Sequence, residues 1–312
     1  MKVSMKSLFK LNPVLIKLSL LLASQCLSVN AYADLADDAY LCNKASNKGD
    51  YTQALALSDK ILKQDSHYRE GLLCKGRTLG ALGMADEAIT TVKAAEKLST
   101  SPFEHMVALT LLGNMQKNAK QYADAMASYQ QSLTLAQAND NGQFQRINNN
   151  LLGEVSVDNN QTQAGLDYYL AGKKFVANDN ERADSYQRLA TTYSLLKQHD
   201  LAIENQVRAL LMQKQSGTLD EYANTSLELG RIYTAAGDYA NAERTYTKLI
   251  QFAQENGGAY YEAKATFYSG LAKSASGDYA AAKARFAEAS KIAKAVGDTE
   301  LINAIDDAVS HL

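Results

Sequence analysis

The side chains that could do chemistry are few in this chain and lie far apart in the sequence. The histidines, which are candidate metal ligands and general bases, stand at His67, His105, His199 and His311. No H-E-x-x-H pattern occurs, so no pair of them has the helix spacing of a zinc site. Residues 194–197 read S-L-L-K, but the S-D-N and K-T-G motifs that accompany S-x-x-K in acyl-serine enzymes are absent. We therefore expect a protein that is not an enzyme and holds neither a metal nor a cofactor.

Phosphate recognition is not indicated either. Gly76, Gly80 and Gly83 are spaced differently from the G-x-G-x-x-G and G-x-x-x-x-G-K loops that cradle phosphates.

The chain has 32 Lys and Arg against 34 Asp and Glu, and four of the lysines lie in residues 1–33, which hold no acidic residue. The remaining chain therefore has 28 basic and 34 acidic side chains, a net charge of −6. This balance argues against a nucleic-acid partner.

Residues 1–33 have the pattern of a secretory signal peptide. An apolar stretch at 18–29, too short to span a bilayer as a helix, precedes an A-Y-A sequence that ends at Ala33. The basic residues before this stretch are Lys2, Lys6, Lys10 and Lys17. We expect cleavage between Ala33 and Asp34, a periplasmic or secreted protein, and no membrane insertion after cleavage. The alternatives are an uncleaved anchor and a lipoprotein modified at Cys26, which the glutamine before that cysteine disfavours.

The composition of the whole chain favours long helices as the elements that carry these residues. Apolar residues make up 46% and charged residues 21%, which argues against both a disordered chain and a polytopic membrane protein. The chain contains only 2 prolines. So few prolines are typical of long helices rather than of a β fold with many turns.

One pattern recurs after the N-terminal segment: a small residue, an alanine about twelve residues later, and an aromatic or apolar residue four after that. The clearest copy is Gly230, Ala242 and Tyr246. In the fourth copy, Ala164 and Tyr168 follow with the spacing one residue short. The alanines of the seven copies stand at positions 54, 88, 125, 164, 202, 242 and 282. Small residues allow two helix axes to approach, and the aromatic ring fills the space beneath their crossing.

These copies resemble the tetratricopeptide repeat (TPR), whose signature is L-G-x-x-Y followed by A-x-x-x-F/Y at a period of about 34 residues or more. The resemblance implies an all-α fold: an α-solenoid, or superhelix, of about seven antiparallel helix pairs closed by a C-terminal capping helix. We predict one domain at 34–312, with the capping helix at 298–312. The predicted repeats are 35–68, 69–101, 102–141, 142–180, 181–219, 220–258 and 259–297.

In this family the first helix of each pair, the A helix, lines a concave groove that binds peptides. The resemblance places ligand-facing residues by their position on that helix. Asparagine and arginine suit the recognition of peptide backbone and carboxylate. The cations suggest a basic groove in an acidic protein, which Glu154 and Glu228 dilute. The residues so placed are Tyr40, Asn43, Arg77, Asn114, Asn150, Glu154, Gln187, Arg188, Thr191, Arg231, Lys264, Phe267 and Tyr268. The family's clamp for two carboxylates is not reproduced in this chain.

Two cysteines, Cys42 and Cys74, fall on the A helices of adjacent repeats. In an oxidising compartment such a pair is a candidate disulfide. The alternative is that Cys42 is simply the small residue at a helix crossing. No C-x-x-C motif occurs, so a reactive pair is not indicated.

The resemblance and the expected compartment together predict a non-enzymatic scaffold or adaptor of the bacterial cell envelope, which binds a protein or peptide in its groove. The alternative is a regulatory sensor that binds a signalling peptide or a small ligand there. An enclosed groove lined by aromatic residues would favour the sensor. An open groove with apolar patches at both ends would favour the scaffold.

Overall fold

A computed structural model describes residues 34–312. The predicted signal peptide, 1–33, lies outside the described residues. The described chain is helical from end to end, with short turns between helices and no β-strand. The predicted fold class, an all-α solenoid of helical repeats, is confirmed. None of the described helices combines the length and the apolar character that crossing a membrane requires.

Fifteen helices follow one another along the described residues. The odd-numbered helices from α1 to α13 are the A helices, and each is followed by its B helix. The first eight are α1 (34–47), α2 (Tyr51–Gln64), α3 (Arg69–Ala81), α4 (Ala85–Lys97), α5 (Pro102–Asn118), α6 (Tyr122–Ala138), α7 (Gly142–Asp158) and α8 (Thr162–Lys173). The others are α9 (Asp179–Leu195), α10 (His199–Ser216), α11 (Leu219–Ala235), α12 (Tyr239–Glu255), α13 (Ala259–Ala275), α14 (Tyr279–Val296) and α15 (Thr299–Ser310).

The helices form two compact units, the first running through Leu135 and the second from Ala136 to Leu312. In the first unit, aliphatic side chains of α3, α4 and α5 share one core. In the second unit, α13 and α14 share a core with α15, whose Leu301 and Ile305 are buried. Helix α15 therefore covers the apolar face of the last helix pair, as a capping helix does in a stack of repeats.

In four of the described pairs, the A and B helices cross where a glycine on the A helix meets an aromatic ring on the B helix. A Cβ added to Gly230 would lie 2.3 Å from the ring of Tyr246. One added to Gly270 would lie 2.6 Å from the ring of Phe286. Both rings are fully buried, so glycine is required for each ring to lie directly on the helix backbone. The other crossings of this kind pair Gly113 with Tyr129 and Gly153 with Tyr169.

The fourth repeat is registered one residue later than the sequence pattern predicts. Gly165 and Tyr169 are buried at the crossing, and Ala164 and Tyr168 are only partly buried. A Cβ added to Gly165 would lie 2.9 Å from the backbone oxygen of Gly153. The prediction of Ala164 and Tyr168 is wrong because glycine stands in the usual place of alanine and two tyrosines follow in succession.

The fifth repeat fills its crossing with a polar side chain. Gln206, four residues after Ala202, is fully buried. Its Nε2 donates a hydrogen bond to the backbone oxygen of Thr225 at 2.9 Å, which links α10 to the following A helix, α11. The other crossings of the second unit have Tyr169, Tyr246 and Phe286 at the equivalent position.

The turn between α11 and α12 shows how the chain reverses between the helices of a pair. Gly237 has φ of +76°, a left-handed conformation in which residues with a Cβ are strained. Asp238 then caps α12, because its side chain accepts a hydrogen bond from the backbone N–H of Asn241 at 3.1 Å. Gly237 and Asp238 therefore separate α11 from α12.

Cys42 and Cys74 form a disulfide that joins α1 to α3 in the first unit. Their Cα atoms are 6.3 Å apart, and both side chains are fully buried. Cys42 also stands at the small-residue position, twelve residues before Ala54. The two interpretations of Cys42 are therefore compatible, because the same residue lies at the helix crossing and forms the disulfide.

Candidate ligand-binding face of the A helices

In the first unit, two of the predicted site residues bind each other across α1 and α3. Arg77 Nη1 donates a hydrogen bond to Asn43 Oδ1 at 2.7 Å, and Asn43 Nδ2 donates to the backbone oxygen of Ala39 at 2.9 Å. Burial lowers the pKa of Arg77. Tyr40 is 66% exposed, so its ring is open to a ligand.

Asn114 and Asn150 each contact the B helix of their own pair. Asn114 Oδ1 accepts a hydrogen bond from the Tyr129 hydroxyl at 2.7 Å, which ties α5 to α6. Asn150 is only 9% exposed, and a Cβ added to Gly172 of α8 would lie 2.7 Å from its Oδ1. The prediction that Asn150 faces a ligand is wrong, because α7 and α8 approach closely and bury this side chain between them.

In the second unit, Arg188 joins side chains from three helices. Its Nε donates a hydrogen bond to Asp184 Oδ2 at 2.9 Å, and its Nη1 lies 4.0 Å from Glu154 of α7. The guanidinium carbon lies 5.9 Å from the ring centroid of Tyr169 of α8. Burial lowers the pKa of Arg188, but the hydrogen bond and the charge of Asp184 outweigh it, so the pKa is raised overall.

Helices α11 and α13 repeat this arrangement. Arg231 Nη1 donates a hydrogen bond to Glu228 at 2.7 Å, and its guanidinium carbon lies 5.4 Å from the ring centroid of Tyr268 on α13. Tyr268 in turn stacks on the buried Tyr246, with 6.4 Å between ring centroids. An exposed arginine is therefore held in place by a buried aromatic residue through one intermediate ring.

Neighbouring A helices are also joined by a direct polar contact. Gln187 Nε2 of α9 donates a hydrogen bond to Thr225 Oγ1 of α11 at 2.8 Å. Thr191, one turn further along α9, is exposed. We call the following residues the second-unit A-helix face: Glu154, Arg188, Thr191, Arg231, Lys264 and Tyr268.

With the ion-pair partners Asp184 and Glu228 included, the second-unit A-helix face carries three basic and three acidic side chains. Arg188 and Arg231 are each paired with a carboxylate of their own helix, and Glu154 lies beside Arg188. The dilution of the predicted basic charge by Glu154 and Glu228 is therefore visible in this unit, and Asp184 adds to it. Ion-paired arginines offer a ligand fewer free donors, so the aromatic faces and exposed side chains carry more of the available contact surface.

A cleft of about 280 Å³ lies between α13 and the beginning of α15. Three predicted site residues line it, namely Lys264, Phe267 and Tyr268. Lys264 Nζ donates a hydrogen bond to the hydroxyl of Tyr260 and lies 4.3 Å from the centroid of the same ring. The remaining lining residues are Tyr260, Asp298, Glu300, Leu301 and Ala304.

Several residues of these sites were not predicted from the sequence. Asp184 and Tyr260 each stand four residues before their cationic partners, Arg188 and Lys264, on the same helix. That i,i+4 spacing is a signal that could have identified both pairs. Asp298 and Glu300 carried no such signal, because their contact with the α13 cleft depends on how α15 folds back.

The described residues contain no group of three or more His, Cys, Asp or Glu side chains arranged to hold a metal ion. His105 Nδ1 lies 2.9 Å from Glu96 and forms an isolated pair with it. His199 lines a separate surface cleft near the turn before α10. The structure thus brings together arginines, tyrosines and carboxylates, and leaves the histidines apart.

Comparison with known families identifies the helix pairs. Two models of the tetratricopeptide repeat match the chain, one at residues 221–295 and one at 107–139 and 183–216. The chain contains tetratricopeptide repeats. These repeats account for the recurring crossing of a small residue with a buried ring in this TPR protein.

Solved structures similar to this TPR protein share its fold at low sequence identity. The apo form of RapI is 13% identical, with a TM-score of 0.67 over 89% of this chain and 86% of RapI. The C-terminal part of a TPR protein from Cytophaga hutchinsonii is 14% identical, with a TM-score of 0.57 over 86% of this chain and 95% of that one. BtubC from P. vanneervenii is 16% identical, with a TM-score of 0.57 over 72% and 92%. No curated protein sequence matches this chain.

Proposed function

We propose that this TPR protein is a scaffold or adaptor that binds a protein or peptide partner through the second-unit A-helix face. The proposal rests on the side chains that this face presents and on the contacts that hold them in place. The A helices α9, α11 and α13 present arginine, threonine and tyrosine side chains, and the arginines and tyrosines are fixed by contacts with neighbouring helices. Arginine and tyrosine are enriched among the residues that dominate binding between proteins. Side chains held in place before binding lose less conformational entropy when the partner arrives.

We infer that the partner lies in the bacterial cell envelope, because two independent features point to export. Residues 1–33 have the pattern of a signal peptide. The disulfide between Cys42 and Cys74 is a bond that persists in oxidising compartments and is rare in the cytosol. The family is generally non-catalytic, which fits a binding role.

The second candidate is a regulatory sensor for a signalling peptide or a small ligand. The cleft between α13 and α15 favours it, because aromatic side chains and charged groups converge there on a small volume. The first candidate needs a broad surface, and the second needs only this cleft. The size of the bound ligand therefore distinguishes the two candidate functions.

Partner capture tests the scaffold proposal. Replacing Arg231 by Ala removes an exposed side chain from the A-helix face, and we expect partner binding to weaken by about 5- to 30-fold, as for a moderately important interface arginine. Cross-linking in the cell envelope followed by quantitative mass spectrometry measures the loss. Alanine is preferred to a charge reversal, which would place a second carboxylate beside Glu228.

Arg208 provides the matched control. It lies on the B helix α10, pairs with Glu204, and its side chain is 52% exposed, compared with 54% for Arg231. Arg208→Ala should leave partner capture unchanged. Equal capture by the wild-type chain and the Arg231→Ala variant would exclude this part of the face.

Export is tested by N-terminal sequencing of the protein recovered from the periplasmic or secreted fraction. We expect the sequence to begin at Asp34. The variant Ala33→Arg should keep residues 1–33, because a signal peptidase requires a small residue at that position. A wild-type protein that retains Met1 would contradict the proposed processing.

A further inference from the structure

The cleft between α13 and α15 holds opposite charges that do not pair. Lys264 lies on one wall, and Asp298 and Glu300 lie at the beginning of α15. Among the described residues, neither Lys264 nor Glu300 has an oppositely charged side chain within 4.0 Å. Asp298 uses Oδ1 to cap α15, accepting a hydrogen bond from the backbone N–H of Leu301 at 3.0 Å.

A cation without a carboxylate partner is unusual on the second-unit A-helix face. Arg188 and Arg231 each have a carboxylate within 3 Å or less. Lys264 instead donates to the neutral hydroxyl of Tyr260 and lies over its ring. The ammonium group and the carboxylates are thus available to a ligand that carries both complementary charges.

Part of the cleft lining is apolar. Phe267 and Leu301 are buried with their side chains toward the shared core of α13, α14 and α15, and both line the cleft. Tyr268 completes the aromatic surface, with 5.4 Å between its ring centroid and that of Phe267. The volume of about 280 Å³ is below the roughly 300–1,000 Å³ of pockets for drug-sized ligands, so a small ligand fits best.

We propose that this cleft binds a free α-amino acid with an apolar or aromatic side chain. The ligand carboxylate binds Lys264, its ammonium group binds Glu300, and its side chain packs on Phe267 and Tyr268. An end of a peptide would bring only one of the two charges and would leave the other set of cleft charges unpaired. The proposal deepens the sensor function and rests on that candidate, because it names the chemical class of the small ligand.

The test is isothermal titration calorimetry of the purified chain with L-phenylalanine and L-leucine. N-acetyl-phenylalanine lacks the ammonium group, and phenylalaninamide lacks the carboxylate. We expect each blocked form to bind at least about tenfold more weakly than L-phenylalanine, because each loses a charge-assisted hydrogen bond. Failure of both free amino acids to bind at millimolar concentration would overturn the proposal, as would equal binding of the blocked forms.

Two conservative variants assign the charges. Lys264→Gln should weaken L-phenylalanine binding until its affinity equals that of phenylalaninamide. Glu300→Gln should likewise remove the difference in affinity between L-phenylalanine and its N-acetyl form. The control is Lys273→Gln, on the same helix α13 but outside the cleft, which should leave all affinities unchanged. If both ligand forms weaken equally in Lys264→Gln, the assignment of the carboxylate to Lys264 is wrong. Partner capture that depends on Arg231 tests the scaffold function separately, so failure of either result leaves the other interpretable.

Discussion

Replacing Tyr246 by Ala should lower the free energy of unfolding of the second unit by about 3–5 kcal/mol. The Tyr246 side chain is only 1% exposed and lies directly on the backbone of Gly230. Its loss leaves a cavity at the crossing of α11 and α12 and removes the ring on which Tyr268 stacks. Chemical denaturation followed by circular dichroism measures the change.

Tyr279 provides the control for this substitution. It begins the B helix α14, but its side chain is 54% exposed, so Tyr279→Ala should change the stability by less than about 1 kcal/mol. Equal losses in the two variants would show that Tyr246 does not fill a helix crossing.

The substitution Tyr246→Ala should also act locally. Without Tyr246, the contacts of Tyr268 and Arg231 should loosen, and partner capture should decline at temperatures where the fold persists.

Removing the disulfide should destabilise the first unit by about 2–4 kcal/mol. The bond closes a loop between residues 32 apart in sequence, and its loss frees the unfolded chain to sample many more conformations. Cys42→Ala and Cys74→Ala are combined, since alanine suits the small-residue position and buries no polar group. Hydrogen exchange of α1 to α3, compared between this variant and the wild-type chain, measures the loss.

A reducing agent gives an independent form of the same experiment. The wild-type chain should exchange faster in α1 to α3 after reduction, and the double-alanine variant should not respond. Exchange in α13 and α14 should stay constant, because each repeat contacts only its neighbours. A wild-type chain whose α1 to α3 exchange is insensitive to reduction would contradict the role given to this bond.

The repeat architecture was predictable because packing constrains spacing. A helix crossing requires a small residue on each partner, and the short turn between the helices sets the twelve residues from Gly230 to Ala242. The fourth repeat shows where pattern alone falls short. Tyr168 and Tyr169 are adjacent and chemically identical, so only the twelve-residue spacing from Gly153 to Gly165 selects the buried one.

The candidate site was less predictable, because its properties depend on contacts between helices far apart in sequence. Position on an A helix assigned Arg188 and Glu154 to the same surface, but it could not show that their charged groups lie 4.0 Å apart. Asn150 has the same helical position as other site residues. It is nevertheless buried, because the glycine at 172 allows α8 to approach more closely than a larger residue would.

Gln206 bears on how a chain of similar repeats avoids joining the wrong neighbours. Repeats that resemble one another can exchange partners or slip along the stack, since one apolar surface fits another almost as well. In the observed pairing the buried Nε2 of Gln206 donates a hydrogen bond to the backbone oxygen of Thr225, so a mispaired α10 would leave this buried donor unsatisfied. The contact between α10 and α11 is therefore selected by a specific hydrogen bond in addition to shape.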